Sequence, residues 1–168
     1  WAKLHNLKQA ARTLNFLTEH EIESYPDLES RVAEITAAST EAAAALKAAE
    51  CRLAEMAMLI KDVTTCKELR PLVQEYQRAA DKKPFRRKHE GTLILYEAAA
   101  KALKEQGFQK LPDLYTLKAE YKQLAEQKDQ LQRQYNDAKR QTQEYGIIKQ
   151  NVDSILRTTP GKEQMQER

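Results

Sequence analysis

Five cations crowd into residues 82–88 of this sequence: Lys82, Lys83, Arg86, Arg87 and Lys88, interrupted by Pro84 and Phe85 and preceded by Asp81. Long cationic side chains in such a cluster suit phosphate oxygens, and an interleaved Phe85 suits stacking on a base or wedging beside one. The competing reading is a solvated loop whose Phe85 plugs into neighbouring helices. Little else in the chain has the spacing of a reactive site. His5, His20 and His89 stand far apart, with neither an HxH nor an HExxH arrangement, so no metal site is expected. There is no glycine-rich phosphate loop and no local Cys/His nucleophile pattern. Tyr121, Tyr135 and Tyr145 fall in an apolar stripe, where an aromatic ring serves packing. No catalytic residue, cofactor or metal ligand is therefore assigned.

Composition points to the elements that must hold the basic cluster. Of 168 residues, 32 % are charged and 7 % aromatic, with only four Gly and five Pro. So little punctuation favours a few long helices over many short elements. A net charge of +3 is too weak to argue for nucleic acid by itself, leaving that case to local clustering. Cys51 and Cys66 are about 22 Å apart along a helix at about 1.5 Å per residue, so they cannot pair there. Two thiols imply a reducing compartment, and a cytoplasmic location is expected. No apolar run is long enough to span a bilayer. The chain starts at Trp1 in mid-pattern, as expected of a piece of a longer protein.

The strongest periodicity runs from Leu28 to Val63. Its 3/4-spaced positions read Leu28, Val32, Ile35, Ser39, Ala42, Leu46, Ala49, Leu53, Met56, Ile60 and Val63, the seam pattern of a coiled coil. A second stripe reads Leu114, Leu117, Tyr121, Leu124, Lys128, Leu131, Tyr135, Ala138, Thr142, Tyr145, Lys149, Val152 and Leu156. Ile148 and Ile155 shift it sideways near its end, which implies contact with an additional helix. A shorter stripe, Leu4, Leu7, Ala11, Leu14 and Leu17, predicts an amphipathic first helix.

These patterns predict a single helical domain over 1–157, with a short helix over 3–18 and long helices over 27–64 and 113–156. Small helices are expected over 71–81 and 90–106, and a frayed tail over 158–168. Asp27 is the expected N-cap of the first long helix. Pro71 is expected to break or kink the chain at 65–71, residues 81–88 to form an irregular turn, and Gly107 to supply a C-cap. The run from Leu17 to Leu28 aligns without a gap on that from Leu103 to Leu114. Each ends a short helix, places an apolar plug (Ile22, Phe108) and restarts at Pro-Asp-Leu. The fold class that follows is all-α: an elongated, coiled-coil-like antiparallel helical hairpin with short capping helices at both ends.

Several segments together resemble a known family. Trp1-Ala-Lys3, Asn6-Leu-Lys-Gln9 and Thr13-Leu-Asn15 are similar to the stretch that follows the nuclease domain in relaxases, the mobilisation nucleases of bacterial conjugative and mobilisable elements. Tyr76, Lys82-Lys-Pro-Phe85, His89-Glu90, Leu111-Pro112 and Asn151-Val-Asp-x-Ile-Leu156 resemble that family's helical C-terminal region. The family nicks one DNA strand through a tyrosine beside a histidine-held metal, and none of that motif is present here. The resemblance therefore implies a non-catalytic accessory region supporting DNA mobilisation. Its implied partners are DNA, through the phosphate backbone, and conjugation-machinery proteins such as a coupling protein. A second reading is a structural coiled-coil spacer or dimerisation arm, in which copies associate without touching DNA.

Overall fold

The computed structural model describes residues 2–158, with side chains from Leu7 to Arg157. The described residues form five helices and no strand: α1 Ala2–Glu19, α2 Tyr25–Arg78, α3 Lys82–Lys88, α4 Glu90–Glu105 and α5 Leu114–Thr158. The fold is all-α, and its long helices α2 and α5 pack against each other. They divide between two compact units. One holds α1, α2 as far as Leu46 and α5 from Leu131. The other holds the rest of α2, then α3, α4 and the start of α5.

The first unit closes around Phe16, Ile22, Leu28, Tyr145 and Ile148, flanked by Leu17, Val32, Ile35 and Val152. Here α2 and α5 run antiparallel. Tyr25 donates to Asp153 at 2.6 Å, Lys149 to Glu29 at 2.9 Å, and Thr142 to the Ile35 carbonyl at 3.5 Å. Ile148 meets α1 through Phe16, which is the extra helix contact that its position implies.

The orientation of α1 differs from expectation. Leu7 and Leu14 are 67 % and 65 % exposed, whereas Thr13 and Phe16 are buried. Turning inward on Phe16 buries a ring edge-on to Tyr145, with centroids 4.9 Å apart, a larger apolar surface than either leucine offers. Thr13 joins it inside because its hydroxyl donates to the Gln9 carbonyl at 2.9 Å and accepts from Asn151 at 3.1 Å. Asn151 in turn accepts from the Gln9 side chain. This closed ring of hydrogen bonds removes the penalty for burying a hydroxyl and fastens α1 to α5.

The second unit packs Val63, Cys66, Ala99, Leu103 and Leu117, supported by Met56, Leu59, Ile60, Tyr96, Ala100 and Leu114. All eleven stripe positions of α2, from Leu28 to Val63, are buried or half-buried, as their spacing requires.

Helix boundaries show where local rules yield to their surroundings. The first long helix does not stop at 64; α2 runs through Pro71 to Arg78, so no separate helix covers 71–81. A proline inside a helix costs about 3 kcal/mol. Burying one large apolar side chain contributes about 1.5–3 kcal/mol. Cys66 is buried and Leu69, Leu72, Val73 and Tyr76 are half-buried on this segment, so packing outweighs the break, and the exposed Pro71 faces solvent. The N-cap of α2 is Ser24 rather than Asp27. The Ser24 hydroxyl accepts from the Asp27 backbone N–H at 3.3 Å and donates to its carboxylate at 2.6 Å.

The two aligned turns close alike in their backbones, but only Ile22 is a buried plug, Phe108 being 37 % exposed. At Glu21–Ile22, backbone bonds run to Thr18 and Leu17; at Gly107–Phe108, they run to Lys104 and Leu103. Both are helix-ending motifs that need one left-handed residue, supplied by Gly107 at φ 87° and by Glu21 at φ 54°. Asp113 then caps α5 by accepting from the Thr116 backbone and hydroxyl at 3.0 and 3.1 Å. The expected tail lies, but for Thr158, beyond the described residues.

Candidate nucleic-acid interface

The basic cluster is helix α3, not an irregular turn. Asp81 caps it, accepting from the Lys83 backbone N–H at 3.0 Å. Pro84 is compatible because it occupies the third helical position, where a backbone N–H has no intrahelical partner to lose. Seven residues are too few for a helix to hold itself, so its placement depends on tertiary contacts.

Phe85 supplies the first. It is half-buried, its ring 5.9 Å from that of Tyr76 and 4.7 Å from that of His89. The ring is thus committed to packing, and the stacking role open to it in the sequence passes to structure. Arg86 supplies the second contact. Its guanidinium meets both carboxylate oxygens of Glu97 on α4, at 3.2 and 3.3 Å. This two-pronged geometry fixes direction better than a single contact. The Tyr76 hydroxyl, and then Glu97, hold the Arg86 pKa above its ordinary value. Both groups are about half exposed, so the pair orients α3 more than it stabilises the unit.

The remaining cations have another fate. Lys82, Lys83, Arg87 and Lys88 are exposed and make no ion pair among the described residues. At about 100° per residue, Lys83 and Arg87 fall on the side of α3 opposite Phe85. The arrangement is a short helix pinned by one aromatic and one arginine, presenting four other cations to solvent. Such a surface has the charge and reach to suit a polyanion, with no ring free to stack on a base. Tyr76 and Glu97, which set the orientation, were invisible as site residues in the sequence. The helix after the basic run carries three glutamates, Glu90, Glu97 and Glu105, and nothing in the sequence singled out Glu97.

Of the other groups with reactive potential, Tyr145, Tyr135 and Cys66 are used in packing, whereas Tyr121, expected in the packed stripe, is 37 % exposed. Tyr145 is buried against Phe16 and His20, and Tyr135 is half-buried with Lys139 over its ring at 5.9 Å. Burial, and then Asp62, push the Cys66 thiol up from its ordinary value, while Cys51 is an exposed thiol. Among the described residues no group of three or more His, Cys, Asp or Glu is placed to hold a metal. Nor is any described helix long and apolar enough to cross a membrane. No protein-family model, curated protein or solved structure matches this chain.

Proposed function

We propose that this chain is a non-catalytic helical region that grips the phosphate backbone of DNA through α3, serving DNA mobilisation as an accessory region of a relaxase. In that setting it works in the cytoplasm beside conjugation-machinery proteins such as a coupling protein. The observation that carries the DNA contact is the set Lys82, Lys83, Arg87 and Lys88, exposed and without an acidic partner among the described residues. The mobilisation setting rests on the sequence resemblance. With Phe85 packed inward, α3 offers charge but no stacking platform, so binding is insensitive to base sequence.

The test is a salt titration of binding to a duplex and to a single-stranded oligonucleotide. Each phosphate contact steepens the log–log salt slope by about 0.9 for duplex and about 0.7 for single strands. Changing Lys82, Lys83, Arg87 and Lys88 together to Gln should weaken binding and flatten that slope. The same variant should melt at nearly the wild-type temperature, since exposed charges contribute little to stability. Equal affinity and equal slope for the two proteins would reject the reading and leave a structural spacer.

A further inference from the structure

Within the first unit, a groove of about 380 Å³ opens between α1 and α5, lined by Lys8, Gln9, Arg12, Ile147, Ile148 and Asn151. We infer that this groove docks an acidic amphipathic helix of a partner protein. The groove's floor is apolar: Ile148 is buried in the core, while Ile147 beside it is 58 % exposed. Its wall on α1 is cationic, and no carboxylate among the described residues lines it. Lys8 and Arg12 are exposed and make no ion pair among the described residues.

The spacing of these groups selects the occupant. Lys8 and Arg12 stand one turn apart on α1, so their side chains rise about 6 Å from each other. Carboxylates one turn apart on a facing helix meet both cations at once, and Arg12 can take its partner in the two-pronged manner. An apolar residue on that helix, beside the acidic pair, covers Ile147. A nucleic-acid backbone matches the cations but leaves the isoleucine floor wet. A purely apolar segment matches the floor but leaves the cations unused. The two walls of the groove are tied together, because Gln9 and Asn151 belong to the hydrogen-bonded ring that joins α1 to α5. A preorganised wall lowers the ordering cost of docking. This site lies on different residues from α3, so the DNA reading can fail without affecting it.

Three labelled helical peptides test the inference by fluorescence anisotropy against the full chain. The first carries Glu one turn apart beside a leucine stripe; the second replaces those Glu by Lys, and the third replaces the leucines by Ser. The first should bind saturably and at least tenfold more tightly than either of the others. Arg12→Glu and Ile147→Ser, both at exposed positions, should each weaken it at least tenfold without shifting the melting temperature. Absent saturable binding, or binding of either altered peptide as tight as that of the first, would overturn the inference even with the wild-type chain alone. So would indifference to both substitutions. A dimer dissociated by Ile147→Ser in sedimentation would assign the groove to a second copy. Tighter binding of a labelled duplex oligonucleotide than of the first peptide, weakened tenfold or more by Arg12→Glu, would overturn the inference in favour of nucleic acid.

Discussion

At the scale of single residues, the two helix-ending turns isolate the effect of one backbone conformation. Gly107 enters the left-handed region at little steric cost, but Glu21 performs the same task with a side chain attached. For an L-residue that conformation costs about 1–2 kcal/mol, partly offset because glycine loses more freedom on folding. Glu21→Gly should therefore stabilise the protein by about 0.5–1 kcal/mol, visible as a melting-temperature rise of about 1–4 °C. A fall in melting temperature would show that Glu21 makes a compensating contact.

Asp113 gives a pH-dependent counterpart. The Thr116 backbone N–H, and then its hydroxyl, hold the Asp113 carboxyl below its ordinary value. A depressed carboxylate contributes stability that is present above its unfolded pKa and lost as pH falls through its folded pKa. Asp113→Ala should consequently lower the melting temperature at neutral pH. The difference from wild type should shrink in acid, once both proteins lack the charged cap. A difference independent of pH would attribute the loss to something other than the carboxylate.

At the scale of the helix, α2 carries an identifiable liability at Pro71. Restoring the backbone donor by Pro71→Ala should stabilise the protein. The gain is about 3 kcal/mol from the helix, less about 0.4–1 kcal/mol because alanine leaves the unfolded chain freer. Chemical denaturation measures this as a higher midpoint with an unchanged slope. No gain would mean that α2 bends at Pro71 to reach its neighbours and that a straighter helix packs worse. The basic helix α3 behaves differently, because Pro84 sits where no donor is needed. Pro84→Ala should change the midpoint far less than Pro71→Ala.

At the scale of the whole molecule, the two cores share no residue. Leu28 is 1 % exposed in one and Leu103 is 4 % exposed in the other. Truncating either to Ala should cost about 2–5 kcal/mol. Hydrogen exchange should then accelerate most in the unit that carries the substitution, since local openings follow local packing. Uniform acceleration across both units from either change would show that they open only together.

What the sequence determined by itself is the all-α class and the inward stripe of α2. A continuous 3/4 repeat leaves a helix no other way to keep those side chains dry. It also determined the aligned turns, because their chemistry lies within six consecutive residues. Tertiary structure decided the rest, each time where a local rule met a competing contact. Pro71 stays helical because the residues around it are packed. α1 turns Phe16 inward and leaves Leu7 and Leu14 outside because α5 offers Phe16 an aromatic partner and Thr13 an amide. The division of labour in the basic cluster was equally hidden. Which cation is spent on holding α3, and which ones face solvent, depends on Glu97 and Tyr76, and only folding brings those two side chains beside Arg86.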